Sequence, residues 1–215
     1  MTAQSKLLSF ALVCIVGIAG ITASFLWRHP AAAVDLTTGT FLTPSRAMPD
    51  FSLIDQQGRM FGTANLRGHW SMLFFGYTNC PDLCPTTLAT LAAMEKRLRA
   101  AKAPVRPQVV FVSVDAKRDT PAQMAKYVPY FDPEFIGLTA ADQPSIEAVA
   151  KKLGVSVIIE PAADGRYAVD HSGDIFVLDP DGRVAAILSG PFGADALQGD
   201  FQRIVAARGP LGGRA

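Results

Sequence analysis

Short apolar runs alternate with segments of helical periodicity along most of the chain. Residues 69–78 (HWSMLFFGYT) and 108–115 (QVVFVSVD) are almost continuously apolar over the length of a strand, which is typical of strands buried on both faces. Between them, apolar residues recur at helical spacing at Leu88, Leu91 and Leu98. The pattern therefore predicts a buried strand, a helix and a second buried strand in succession.

Turn and capping residues divide the rest of the chain. Thr120 followed by Pro121 marks a helix start, because threonine caps free amides and proline suits the first helical position. The same kinds of signal predict a hairpin turning at 56–58, a short strand within 134–140, a helix over 145–153 ended by Gly154, a strand at 154–159, a hairpin turning at 179–182 and a helix over 194–208. Strands that alternate with helices before a final hairpin and helix predict an α/β fold with a mixed sheet flanked by helices.

The longest apolar run lies near the N-terminus. Residues 7–27 contain no charged side chain, and about 20 apolar residues suffice to cross a bilayer. A cleaved signal peptide with its site at residues 31–33 is the alternative, but its apolar core is normally only about 7–15 residues long. We therefore predict a transmembrane helix, and Lys6 before it with Arg28 after it weakly favours a cytoplasmic N-terminus.

This anchor sets the predicted organisation of the chain. Residues 34–46 contain Thr, Gly and Pro without periodicity, which is typical of a linker. The predicted segments are a cytoplasmic N-terminus (1–6), a transmembrane anchor (7–27), a linker (28–46), a folded domain (47–208) and a flexible tail (209–215). We expect a single-pass protein of a bacterial inner membrane, with its folded domain in the periplasm.

The charge balance argues against one class of partner. The chain has 215 residues, of which 20 are basic and 19 acidic. Only two of these, Lys6 and Arg28, precede residue 34, so the remainder carries one excess negative charge and shows no basic stripe. Nucleic acid is therefore not an expected partner.

Two cysteines lie at a predicted strand-to-helix junction. Cys80 and Cys84 belong to the segment TNCPDLCP, and a proline follows each of them. Pro85 is tolerated only in the first turn of a helix, since it lacks an amide hydrogen, so we predict a helix that starts near Pro85 with Cys84 at its cap. Amide hydrogens and the helix dipole at such a junction favour thiolates over thiols.

Thiolates in this position can form and exchange a disulfide, or they can bind a soft metal. A structural zinc site takes four nitrogen or sulfur ligands and an iron–sulfur cluster takes more thiolates than two, whereas copper(I) is satisfied by few soft ligands. Two thiolates and one imidazole would be enough, and the chain has three histidines, His29, His69 and His171. Each histidine taken alone is typical of an interface or a loop, so the residues leave both chemistries open.

Three segments together resemble the SCO/SenC family of copper-binding, membrane-anchored, thioredoxin-like proteins. They are FFGYTNCPDLCP, VFVSVDAKRDTP and VDHSGDIFVLDPDG, in this order and spacing, and the resemblance extends from residue 48 to residue 208. It implies a thioredoxin-like fold and one copper ion per domain, Cu(I) or Cu(II), bound by Cys80, Cys84 and His171. The same two cysteines would form the redox-active disulfide.

The resemblance also implies two functions of different classes. The family delivers copper to the dinuclear CuA centre in subunit II of cytochrome c oxidase, as a metallochaperone without turnover, or reduces the cysteines of that centre as a thiol-disulfide oxidoreductase. Other copper chaperones and thioredoxin-like reductants are further expected partners. A third ligand at His171 is needed for copper and unnecessary for disulfide exchange, and CxxxC is longer than the CxxC of thioredoxins. We therefore favour the metallochaperone.

Two positions depart from the family pattern. Asn79 stands where the family often has histidine, and Ala116 stands where it often has proline. Neither position is among the three implied ligands, so the departures leave the ligand assignment unchanged.

Charged residues near the three segments have several possible roles. Metal-bound histidine usually donates its other ring hydrogen to a carboxylate or carbonyl, and Asp82, Asp115 and Asp170 are candidates to support the site or a docking partner. The sequence does not choose among them. Arg118 and Asp119 are neighbours in the chain, and we expect them to form an ion pair.

Overall fold

A mixed sheet and four helices make up the part of the chain that the computed structural model describes, residues 34–161 and 167–209. The strands are β1 Gly39–Ala47, β2 Ser52–Asp55, β3 Met60–Gly62, β4 Ser71–Gly76, β5 Gln108–Ser113, β6 Ile136–Thr139, β7 Val157–Pro161, β8 Tyr167–His171, β9 Ile175–Leu178 and β10 Arg183–Leu188. The helices are α1 Leu83–Ala100, α2 Pro121–Phe131, α3 Gln143–Leu153 and α4 Ala194–Arg208, with a short 3-10 helix at Thr63–Asn65.

Within the described residues, eight strands form the main sheet in the order β1-β10-β9-β4-β5-β6-β2-β3. The central strands β4, β5 and β6 are parallel, and β9 runs antiparallel to β4. Strands β7 and β8 form a separate antiparallel pair. The predicted mixed, thioredoxin-like sheet with flanking helices is therefore confirmed.

The central strands are buried on both faces, as their continuous apolar runs predict. All of β4 is buried, and its two phenylalanines point to opposite faces because side chains alternate along a strand. Phe74 packs against Phe111, whereas Phe75 meets Phe176 edge-on with ring centroids 6.0 Å apart. Apolar residues on one face of α1, Leu88, Leu91 and Leu98 among them, complete the core on one side.

Most predicted elements are confirmed with small shifts of their ends. The hairpins β2–β3 and β9–β10 and helix α4 lie where they were predicted. Thr120 caps α2 by accepting a hydrogen bond from the Gln123 amide. Helix α3 begins at Gln143 rather than Ser145, because Asp142 is its cap, and it ends at Gly154 with a left-handed φ of 82°.

Part of the predicted linker is instead a strand. Strand β1, Gly39–Ala47, pairs antiparallel with β10 at the edge of the main sheet. Just before it, the Asp200 carboxylate in α4 accepts hydrogen bonds from the Thr37 and Thr38 amides, each at 2.8 Å. Most of β1 is exposed or half-buried, so it lacks the alternation of a half-buried strand, and its pairing with a distant strand is what defines it.

The predicted membrane anchor, residues 7–27, lies outside the described residues, as do residue 29 and residues 210–215 of the tail. Within 34–161 and 167–209, no helix has the length and apolar character needed to cross a membrane.

Glu95 is a buried carboxylate on α1, and we expect it to make the stability of the folded domain depend on pH. Burial raises the pKa of Glu95 from its ordinary 4.5 to about 7, opposed by Arg106 and Arg99 and reinforced by Asp132 and Glu134. Because the folded state binds the proton more tightly, the stabilisation is complete below pH ~4.5 and is lost as pH rises through about 7.

Glu95→Gln should remove this dependence, since the amide cannot ionise. Denaturant unfolding should show the variant more stable than the parent by about 3 kcal/mol at pH 8 and by less than about 1 kcal/mol at pH 5. Glu147→Gln on the exposed face of α3 is the control and should change neither value. A Glu95→Gln effect of the same size at both pH values would contradict the assignment.

Candidate metal centre

Both cysteines of the CxxxC segment lie where β4 ends and α1 begins. The helix starts at Leu83 with Asp82 as its N-cap residue, so Cys84 is the second helical residue and not the cap. Pro85 is then third, which is tolerated because amides of the first turn have no partner within the helix. The Cys84 amide donates to Cys80 Sγ at 3.4 Å, so the first turn of the helix points an amide at the other sulfur.

Asp119 holds the loop that carries Cys80. Its carboxylate is completely buried and accepts from the Thr78 amide at 3.0 Å and from the Thr78 hydroxyl at 2.6 Å. A third hydrogen bond comes from the Ser113 hydroxyl at the end of β5, also at 2.6 Å. One carboxylate therefore ties the residue two before Cys80 to the neighbouring parallel strand.

Gly76, the last residue of β4, makes room for the Cys84 sulfur. A Cβ at this position would lie 2.8 Å from Cys84 Sγ and 2.6 Å from the Phe111 ring. Real Cβ contacts are not that short, so any side chain here would displace the sulfur or the ring. Glycine at the strand end is thus a packing requirement of the site.

His171 reaches the cysteines from a different part of the chain. It ends β8, where it pairs with Val157 of β7, and so it is not the loop residue that the sequence suggested. Its Nε2 lies 3.4 Å from Cys84 Sγ, and its Nδ1 donates to the Ser172 carbonyl at 3.1 Å. Because the proton of the neutral ring is then on Nδ1, the Nε2 lone pair faces the thiols.

The three side chains have the spacing of a metal site. One ligand atom from each of Cys80, Cys84 and His171 lies within 4.8 Å of the other two. Two metal–sulfur bonds of about 2.3 Å reach across at most about 4.6 Å, so a shared ion requires little rearrangement. Both thiols are free, Cys84 buried and Cys80 partly exposed. Two sulfurs and one imidazole nitrogen form a donor set that suits a soft ion such as Cu(I).

Burial governs the protonation of the Cys84 thiol and the His171 ring. It raises the pKa of Cys84 well above that of an ordinary thiol, although a backbone hydrogen bond at Tyr77 opposes the shift. The predicted thiolate at Cys84 is therefore wrong for the metal-free protein, because desolvation outweighs the helix terminus. Burial also lowers the pKa of His171, which keeps the ring neutral and able to act as a ligand.

None of the three candidate carboxylates takes the ring hydrogen of His171, since the Ser172 carbonyl accepts it. Asp82 is exposed and accepts from the Thr86 hydroxyl at 3.2 Å. Asp115 is buried and accepts from the Tyr167 hydroxyl at 2.7 Å. Asp170 is an exposed residue of β8, directly before His171.

The predicted ion pair between Arg118 and Asp119 is wrong. Arg118 pairs with Asp115 instead, whereas Asp119 points inward to Thr78 and Ser113. The side chains of adjacent residues in this turn point in different directions, so neighbours in the sequence are not in contact.

Other positions singled out in the sequence lie apart from the sulfurs or play a different part. His69 lines a separate cleft with Glu95 and Arg106. Asn79 is exposed beside Cys80, and the Ala116 amide donates to the Gln143 side chain at 3.0 Å. The roles of Asp119 and Gly76 were not predicted from the sequence. A glycine at the end of a strand, four residues before Cys80, is nevertheless a signal of close packing.

Like this geometry, comparisons with known proteins indicate a copper-binding protein. The family model described as SCO1/SenC matches residues 41–206. A putative copper-binding protein of Stutzerimonas stutzeri is 34% identical over 197 residues, which are 92% of this chain and 92% of that protein. The structure of Arabidopsis thaliana ScoI with copper bound has a TM-score of 0.70 and 34% identity, over 74% of this chain and 97% of that one. Yeast Sco1 with copper bound gives 0.69 and 29%, over 75% and 89%.

Proposed function

Because the chain belongs to the SCO1/SenC family, we propose that it is a metallochaperone of cytochrome c oxidase assembly. It binds one copper ion through Cys80, Cys84 and His171 and transfers it to the CuA centre of oxidase subunit II. The observation that carries the proposal is the convergence of these three ligand atoms within 4.8 Å, from segments of the chain 87 residues apart.

The chain's own residues suggest how the ion is held and released. Cys84 is completely buried, so its sulfur is the inner ligand, and its proton must leave when the metal binds. His171 offers the Nε2 lone pair without losing a proton, because Nδ1 carries the hydrogen. Cys80 is the more exposed sulfur and is the ligand that an incoming thiolate of the acceptor reaches first. Transfer then proceeds by exchange of sulfur ligands.

A thiol-disulfide oxidoreductase is the second candidate, favoured by one observation. The two free thiols are adjacent, with the Cys84 amide on Cys80 Sγ. In that reaction a thiolate attacks a disulfide of the target, and the second thiol completes an internal disulfide, so two electrons pass to the target cysteines. Thioredoxin-like reductants would then regenerate the thiols, whereas other copper chaperones would load the metal in the first scheme.

His171→Ala divides the two candidates. Delivery requires the third ligand, so in cells the variant should lower assembled CuA-containing oxidase about as far as Cys80→Ser does. Reduction of target cysteines needs only an accessible thiolate and its partner, so a reductase would keep most of its effect. The measurement is oxidase content and activity of membranes from strains that express equal amounts of each variant.

The His69→Ala strain is the control, because His69 lies in a different cleft. We expect it to match the parent. Oxidase near the parental level in the His171→Ala strain, beside a collapse in the Cys80→Ser strain, would favour the reductase over the metallochaperone.

We further propose that residues 7–27 anchor the protein in a bacterial inner membrane and that the folded domain lies in the periplasm. The support is the uncharged run of the sequence. Fractionation should recover the intact chain with membranes, released only by detergent. Protease added to spheroplasts should remove the domain. Recovery of the uncleaved chain in the soluble fraction would overturn this proposal.

A further inference from the structure

The antiparallel strand pair β7–β8 carries His171 but does not belong to the main sheet. The cysteines, in contrast, follow β4 at the centre of that sheet. The distance between His171 and the sulfurs therefore depends on what fastens β8 to the body of the domain.

Arg118 and Asp115, from the turn after β5, fasten the start of β8 at Tyr167. The Tyr167 hydroxyl donates to the Asp115 carboxylate at 2.7 Å. Arg118 Nη1 donates to the Tyr167 carbonyl at 3.1 Å, and the guanidinium carbon lies 3.8 Å from the centroid of the Tyr167 ring. Arg118 also pairs with Asp115, so the three residues form a closed set of contacts.

Tyr77 connects these contacts to the metal centre. Its ring lies 5.4 Å from the Arg118 guanidinium and meets the His171 ring edge-on at 5.9 Å. Val169, the buried residue of β8, lies between Tyr167 and His171 in the strand. The Arg118 guanidinium thus lies against two aromatic rings, that of Tyr167 at the start of β8 and that of Tyr77, which contacts His171 at the end of β8.

We infer that Arg118, together with Asp115, is a positioning residue that holds the imidazole of His171 against the Cys80–Cys84 pair. The inference rests on the proposed function, since it concerns the third ligand of that site. Tyr167 and His171 are four residues apart on a strand, a reach of about 13 Å. A small rotation of β8 about Tyr167 would therefore move the Nε2 atom of His171 well away from its 3.4 Å contact with Cys84 Sγ.

Lys117 provides a matched control on the same turn. Its Nζ lies 5.8 Å from the Tyr167 ring, farther than the Arg118 guanidinium carbon at 3.8 Å. Arg118→Gln and Lys117→Gln remove the same charge from adjacent positions. Only Arg118→Gln removes the stacked cation and the hydrogen bond to β8.

The test uses the full chain and two readouts. Cu(I) affinity, measured by competition with a chelator, should fall about 10-fold in Arg118→Gln, the size typical of changes beside a metal ligand. It should be unchanged in Lys117→Gln. In a His171→Ala background the Arg118 substitution should cost nothing further, because the ligand that it positions is already gone. Tyr167→Phe keeps the ring and loses only one hydrogen bond, so it should show a smaller loss.

The second readout is independent of copper. In the metal-free chain, the nuclear Overhauser contact between the Tyr77 and His171 rings should be present in the parent and in Lys117→Gln. In Arg118→Gln it should weaken, and the Val169 amide should exchange faster with solvent. These signals can also be measured if Arg118→Gln binds copper too weakly for its affinity to be determined. If Arg118→Gln does not fold, the same measurements are made on Tyr167→Phe.

The outcomes separate this inference from the proposed function. Parental affinity and ring contact in Arg118→Gln, beside a clear loss in His171→Ala, would overturn the positioning role and leave the copper site intact. An equal loss of affinity from Arg118→Gln with and without His171 would also overturn it, since the effect would then act through the cysteines. If His171→Ala bound copper like the parent, the proposed ligand set would fail, and retention of the ring contact in Arg118→Gln would overturn the positioning role as well.

Discussion

Replacing Cys84 by serine should abolish tight binding of Cu(I). Cys84 is the inner sulfur, completely buried and 3.4 Å from His171 Nε2. A hydroxyl is a poor ligand for a soft ion, and the remaining donors, one thiol and one imidazole, leave the site incomplete. We expect a loss well beyond the 10–100-fold that follows changes beside a metal site. Cys80→Ser should have the same effect.

Copper stoichiometry of the purified, reduced chain measures this directly. The parent should hold one ion, and each serine variant should lose it on passage over a chelating resin. His69→Ala should retain the ion, because this histidine lines a different cleft. A stoichiometric ion that survives both serine substitutions would refute the ligand assignment.

Replacing Asp119 by alanine should strongly destabilise the folded domain, although Asp119 is not among the proposed ligands. It would leave the Thr78 amide, the Thr78 hydroxyl and the Ser113 hydroxyl without their buried acceptor. Unsatisfied buried donors cost about 1–3 kcal/mol each. We expect the free energy of unfolding to fall by about 3 kcal/mol and the affinity for Cu(I) to fall with it, because the loop before Cys80 loses its attachment to β5.

Denaturant unfolding and copper competition on the same preparations test this expectation. Asp119→Asn keeps an acceptor oxygen and should lie between alanine and the parent in both measurements. Asp50→Ala removes an exposed carboxylate and should change the free energy of unfolding by less than about 0.5 kcal/mol. Unchanged stability in Asp119→Ala would show that its three hydrogen bonds do not hold the loop.

The sequence determined those elements whose signals are local. Buried strands such as β4 and β5 are continuous apolar runs, and helix ends such as Thr120 and Gly154 carry their own capping residues. The pair Cys80 and Cys84 is local too, because both sulfurs belong to one turn. For these features, the residues that make the structure are also neighbours in the chain.

Resemblance, rather than local pattern, singled out His171 as a candidate ligand. Taken alone, it is one of three histidines, and nothing within its segment links it to the cysteines. The structure supplied that link, with Nε2 facing Cys84 Sγ and Nδ1 on the Ser172 carbonyl. It also reversed the expected charge state of Cys84, because burial depends on the whole fold whereas helix position can be read from the sequence.

Only the tertiary structure decided the partners of β1, Arg118 and Asp119. Strand β1 is defined by hydrogen bonds to β10, and Arg118 contacts Asp115 and Tyr167 rather than its neighbour. Asp119 points inward to Thr78 across a chain separation of 41 residues. Apart from the local Arg118–Asp115 pair, these pairings bring together groups from distant segments. Their strength depends on burial and geometry that exist only once the sheet has formed.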